Sequence, residues 1–346
     1  MAGRGRLRPA TLSEGLDEMR TGGEKMNLST VSGSPPRRKR FWQRLSFEET
    51  FYGWLFIVPS VLGLILLRLG PVLVSLILSF TKYDIISSPK WVGLANFVKL
   101  PTDNLWLKSI SVTLEYVAMA IPATLITAYA IALLMSRDVK GITTYRSIWY
   151  LPTLVPTVAS AAIWRWALNP EFGPVNYPLK VLGLPAPRWY ADPKWAVPSI
   201  VFMSLWGLGN STLIFVAALK GVPDVFYEAA EVDGASTWRK FRHITLPLTS
   251  SIIFYQLVMA IINSFQIFAA AWIFYGLGAD TIGSAGPANA GLFYVLYLYR
   301  NAFGYFRNGY ACAMAWVLFL VIMFLTWLSF RSQQVWVYYE TEGRTA

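Results

Sequence analysis

The chain has 346 residues, of which 55% are hydrophobic and only 14% charged, and it carries a formal net charge of +11. A soluble domain of this length holds roughly a quarter charged residues, so the composition excludes an ordinary soluble enzyme and indicates a polytopic membrane protein. The positive balance reads as basic flanks that fix topology and meet anionic lipid headgroups; no recognised nucleic-acid motif accompanies it, so no nucleic-acid partner is expected.

Residues 1–45 are rich in Gly, Ser, Arg and Pro and end in "PPRRKR", which predicts a disordered basic tail. A transmembrane domain over 46–340 follows, entered through an interfacial aromatic cluster of Phe41, Trp42, Phe47, Phe51, Tyr52 and Trp54, and 341–346 form a short C-terminal tail. Crossing the hydrocarbon core takes about 20 mostly apolar helical residues, because lipid offers the backbone no hydrogen-bond partner. Six stretches qualify, near 53–80, 109–135, 148–168, 197–218, 249–275 and 311–330. The expected fold is therefore all-α with six transmembrane helices. Prolines such as Pro152, Pro156 and Pro198 fall within these stretches, where neighbouring groups can re-satisfy the freed carbonyls.

Three ionisable residues lie in the spans. Arg68 sits in the first, before Gly70-Pro71; Glu115 and Arg165 lie near ends of the second and third, where they read as snorkelling or paired anchors. The loops 88–100 and 169–195 are rich in aromatics and proline, which suits either a docking surface or an aromatic belt on the membrane. Nineteen Lys and Arg fall on the side holding both termini and the 220–247 loop, against nine on the other side. The positive-inside rule then places both termini and that loop in the cytoplasm.

Little in the chain can catalyse. It has one His, His243, and one Cys, Cys312, and it has no G-x-x-x-x-G-K-[ST] phosphate loop, so no metal, cofactor or catalytic set is expected. Any energy for transport would have to come from an ion gradient or from another subunit. The 220–247 loop reads as two short polar helices: Asp224 caps the first, over 225–233, Gly234 stops it, and Ser236 or Thr237 caps a second, basic helix through Ile244 before Pro247 opens the next span. Such an element could plug into a groove or lie with its basic helix on anionic lipid.

Within that loop, "EAAEVDGASTWRKFRHITLPL" resembles the signature of binding-protein-dependent ABC importer permeases: Glu228-Ala229-Ala230, Asp233-Gly234, then Ile244, Leu246 and Pro247. The resemblance extends over about 50–340, through "PKWVGLANFVKL", "IWRWALNPEFGPVN", "LYLYRNAFGYFRNGYACAMAWVLFL" and "WVYYE", all similar to the carbohydrate subgroup. "YGLGADTIGSAGPANAG" departs from the shorter T-x-G-G-P turn of that subgroup. The resemblance implies the type I importer permease fold, with the loop as a coupling helix seated in a separate ATPase. Glu228 would make a salt bridge there, Ala229 and Ala230 would permit close approach, and Gly234 would make the bend. It also implies a second homologous permease, two ATPase subunits, an extracytoplasmic solute-binding protein, a sugar substrate and an inner-membrane location. Counting from the motif, the sugar pocket would draw on Trp206, Gly207 and Asn210 in the fourth span and Asn263, Ser264 and Ile267 in the fifth; as plain residues these are equally suited to holding helices together. The alternatives are the same architecture importing glycerol 3-phosphate or another polyol derivative, and an ion-coupled secondary transporter.

Overall fold

A computed structural model of the chain describes residues 47–276 and 285–338, with side chains from Phe51 onward. The expected tails at 1–45 and 341–346 lie outside the described residues, as do residues 277–284 of the 275–291 stretch where the sequence departs from the carbohydrate subgroup. The chain divides into two units, 1–65 and 66–346. The first includes the helix Phe47–Gly63, whose residues from Phe51 to Leu62 are mostly apolar and exposed, the pattern of a segment that faces lipid.

The second unit is a helical assembly centred on Asn104–Met135. Asp103 starts this helix, its carboxylate accepting from the Leu105 and Trp106 amides at 2.9 and 3.3 Å. Its buried face repeats at helical spacing through Val112, Tyr116 and Ala120, then Ala128 and Ala132. The small residues let Pro193–Trp206, Gly209–Lys220 and Ser250–Phe265 approach closely. In lipid this close packing matters more than apolar burial, because the tails are as apolar as the side chains. Asn308–Trp336 packs on Gly70–Ser79, with Trp316 Nε1 donating to Ser75 Oγ at 3.2 Å. The one ladder among the described residues is a two-residue antiparallel pair, Thr81–Lys82 with Lys90–Trp91.

Among the described residues four helices are long and apolar enough to span: Phe51–Ser79, Asn104–Met135, Ser250–Gly276 and Asn308–Trp336. Pro193–Trp206 and Gly209–Lys220 together make a fifth, bent by 54° at Gly207-Leu208. The expected span at 148–168 is in pieces instead: Ile142–Tyr150, a tight turn at Leu151–Leu154, and Thr157–Ala167. The cause is local, since Pro152 and Pro156 lack the donors that a continuous helix needs there. Helix length thus supports four or five spans, not the expected six.

The 169–195 loop has a built interior. Asn176 is buried, accepts from Trp189 Nε1 at 2.7 Å and donates to the Pro187 carbonyl at 2.9 Å. Arg68 and Glu115 are exposed. Arg165 does not pair with Glu115: its guanidinium donates to the Ile273 carbonyl at 2.6 Å and lies over the Tyr190 ring. Ile273 belongs to a widened turn, Trp272–Gly276, and the arginine takes up a carbonyl there.

Candidate functional site

The 220–248 segment departs from its expected form by one residue. The helix runs Asp224–Val232 with Pro223 at the N-cap position, so Asp224 is its first helical residue and makes no cap bond. Proline fixes the entry dihedral, and the acid in the first turn complements the positive end of the helix dipole. The C-terminus closes as a Schellman motif: the Ala235 amide donates to the Ala230 carbonyl at 2.8 Å and the Gly234 amide to that of Glu231 at 3.0 Å. Gly234 takes φ +68°, a left-handed conformation that disfavours any side chain with a Cβ.

Ser236 then caps the helix Thr237–Lys240, accepting from the Arg239 amide at 3.4 Å. The helical path continues through a wide turn, Phe241–Thr245, into Leu246–Leu248. Pro247 has no N–H for the preceding turn, which fits a widened turn immediately before it. Lys240 Nζ reaches Glu231 Oε1 at 2.7 Å across the bend. This hydrogen bond and the ammonium charge hold the Glu231 carboxyl below its ordinary value.

No residue of Asp224–Val232 is buried. Its free side presents Val225, Phe226 and Val232, the last 89% exposed, beside Glu228 and Ala229. Glu228 makes no ion pair among the described residues. Behind the helix lies an open basin of about 1040 Å³, lined by Arg137, Asp138, Lys220, Tyr227, Glu231 and Lys240 among others. Of the remaining motif residues, Asp233 and Leu246 are exposed, while Ala230, Ile244 and Pro247 are half-buried.

A cavity of about 580 Å³ opens at the 54° break. Trp206, Gly207, Asn210, Asn263 and Ile267 all line it. A neighbouring cavity of about 240 Å³ is lined by Ser264 and again by Asn263 and Ile267. Trp206 and Asn210 reach the cavity from the two half-helices on either side of the break, and Gln266 likewise sits just past the end of Ser250–Phe265. Gly209 permits the break to pack tightly, since a Cβ there would lie 3.0 Å from the Tyr150 Cα. Trp206 is held edge-on by Trp164, ring centres 6.0 Å apart.

The sequence reading missed Tyr116, common to both cavities, and Thr157, Ser160 and Ser204, which line the larger one. Only the i, i+4 relation of Tyr116 to Val112 and Ala120 on the buried face carried a signal, and that signal reads as packing.

A multi-pass helical assembly with a stiff polar bend at one end and a polar cavity at a broken helix defines a membrane transport component. Residues 103–335 match the family described as "Binding-protein-dependent transport system inner membrane component", and the chain belongs to that family. It is 38% identical over 298 residues to the probable ABC transporter permease protein YesP of Bacillus subtilis, covering 85% of this chain and 94% of that protein. It is 30% identical over 313 residues to the arabinooligosaccharides transport system permease protein AraP of the same organism, covering 88% and 96%. The fold is also that of a chain in the bacterial alginate ABC transporter bound to its periplasmic protein, with TM-score 0.69 and 20% identity over 85% of this chain and 97% of that one.

Proposed function

We propose that this inner-membrane component is the noncatalytic permease subunit of an ATP-driven importer of sugars. It would work with a second homologous permease, two ATP-binding-cassette ATPase subunits and an extracytoplasmic solute-binding protein. The observation that carries the reading is the Asp224–Val232 helix, rigidly capped at Gly234 yet apolar and exposed on its free side, as a surface awaiting a partner would be. Glu228, Ala229, Ala230, Asp233 and Gly234 form the contact with the ATPase, and Ile244, Leu246 and Pro247 join it to the next span. The excess of Lys and Arg puts this segment and both termini in the cytoplasm.

Sugar as the cargo is supported by the relatives' names and by the cavity. Its described lining includes Asn210, Asn263, Gln266, Ser160, Ser204 and Trp206, neutral hydrogen-bonding groups beside an aromatic face, with no Lys or Arg. A phosphate-bearing cargo would call for a cation there, so a neutral carbohydrate fits better. The binding protein delivers it, ATP closes the paired ATPases, and the spans rearrange around the cavity; each state must bind the cargo differently for the cycle to have direction.

The test is uptake of labelled sugar by vesicles holding the full complex with its binding protein. ATP-dependent uptake that persists after the ion gradients are collapsed is the expected result. Uptake that survives ATP depletion and needs a gradient would overturn the reading.

A further inference from the structure

The Asp224–Val232 helix stands off the bundle across the 1040 Å³ basin with no buried residue of its own, so beyond the chain connections at its two ends its movement reaches the spans through discrete links. One link runs through hydroxyl groups. Tyr227 Oη lies 3.0 Å from Thr245 Oγ1. Thr249 Oγ1 donates to the Thr245 carbonyl at 2.7 Å, and Tyr129 Oη lies 2.9 Å from Thr249 Oγ1. A hydroxyl has one proton; with that of Thr249 given to the Thr245 carbonyl, Tyr129 is the donor in the last bond. Thr245 and Thr249 are buried, 7% and 1% exposed, where a lost partner is costly and the geometry is held. Tyr129 belongs to Asn104–Met135, the helix on which the assembly packs, and its ring stands edge-on to Phe215 of Gly209–Lys220 at 5.2 Å.

We infer that Tyr227, Thr245, Thr249 and Tyr129 are positioning residues that transmit movement of the Asp224–Val232 helix to the Asn104–Met135 span, and through Phe215 to the lower half of the broken span. This rests on the proposed seat of an ATPase at that helix. By chain continuity the segment already joins the Gly209–Lys220 half-helix at one end and the Ser250–Phe265 span at the other; the hydroxyl links add a lateral route to Asn104–Met135, which lies between them in contact with both. Tyr129 contributes to it only if its oxygen is present, since the ring contacts with Phe215 and Phe241 survive its loss.

The experiment compares wild type with Tyr129→Phe, Thr249→Val, Thr249→Ser and Tyr227→Phe in the full transporter, reconstituted with ATPase and binding protein. It reads three quantities: ATPase subunit retained on purification, binding-protein-stimulated ATP hydrolysis, and sugar moved per ATP. The expected result is normal ATPase retention in every variant, with sugar moved per ATP lowered about two- to tenfold in Tyr129→Phe, Thr249→Val and Tyr227→Phe, the scale of one hydrogen bond. Thr249→Ser should restore it. Tyr129→Phe combined with Tyr227→Phe should cost no more than the worse single change, because both interrupt one chain. Unchanged sugar per ATP in all three hydroxyl-removing variants, or an equal loss in Thr249→Ser, overturns the inference while leaving the proposed function standing. A wild-type chain that retains no ATPase overturns both.

Discussion

Lys240 Nζ lies 2.7 Å from Glu231 Oε1, tying the two arms of the 224–248 segment on either side of the Gly234 bend. Both groups sit at the surface of the open basin, the glutamate side chain 65% exposed and the lysine 19%. An exposed pair adds little global stability. Its effect is local, on the angle between the helix and the strut that leads into the next span.

That pair gives the segment a pH dependence of known sign. The hydrogen bond from Lys240 and its charge lower the Glu231 pKa, so its contribution is present above the ordinary glutamate value of 4.5 and is lost as pH falls through the lowered one. Hydrogen exchange of the 224–240 amides should therefore be flat from neutral pH down to about 5, after correction for intrinsic rates, and rise in stronger acid. Glu231→Gln should show the faster exchange already at neutral pH. Identical exchange in variant and wild type would remove the pair from the account.

Gly234 separates conformational from steric effects. Nothing lies within 4 Å of where its Cβ would be, so the cost of adding one comes from φ +68° and not from a clash at that atom. That cost is about 1–2 kcal/mol for most residues, and Asn tolerates the conformation better. Gly234→Asn should retain most ATPase binding and transport, while Gly234→Val should lose much of both with the protein still in the membrane. Equal behaviour of the two variants would mean that the left-handed bend is unimportant.

At the cavity, Asn263→Ala and Trp206→Ala should raise the KM for sugar at saturating binding protein. Loss of a hydrogen bond predicts about two- to tenfold for Asn263, and loss of the aromatic face predicts a larger effect for Trp206. Tyr116→Phe should act in the same direction, since Tyr116 lines both cavities. Wild-type kinetics in Asn263→Ala and Trp206→Ala together would leave these residues as helix-packing groups.

How much of this could be read from the sequence differs by residue. The bend at Gly234 depends on neighbours within five positions, so glycine after a short helix was enough to place it. The assignments of Asn263, Ser264 and Ile267 to a pocket came from family resemblance; that they line cavities also shared by Tyr116 depends on packing between the fourth, fifth and second spans, which no local pattern encodes. The break within 148–168 was not legible for a different reason. Pro152 and Pro156 were visible, but mean apolarity over 20 residues does not register missing amide donors, and two prolines four apart break a helix that one would only bend. The 54° break at Gly207-Leu208 opens the run Gly207-Leu208-Gly209-Asn210-Ser211-Thr212, a signal that mean apolarity over the whole stretch averages away.

Asp103 joins three elements through one carboxylate. Oδ1 accepts from the Leu105 and Trp106 amides, and Oδ2 accepts from the Tyr297 hydroxyl at 2.6 Å and the Tyr310 hydroxyl at 2.8 Å. Burial pushes this carboxyl up, but the two phenols and two amides outweigh it and hold it below the usual aspartate value of 3.8. The stabilisation is thus present above that value and is lost as pH falls through the lowered one. Asn can still cap a helix but brings no negative charge to the phenols, whereas Ala loses the cap as well, a further cost of about 0.5–2 kcal/mol. Thermal unfolding of the full chain in detergent at neutral pH should therefore rank wild type above Asp103→Asn above Asp103→Ala. The gap between wild type and Asp103→Asn should close in strong acid, where the wild-type carboxyl is itself protonated. A gap that stays constant across that pH range would show that the charge contributes nothing and that shape alone holds the two tyrosines in place.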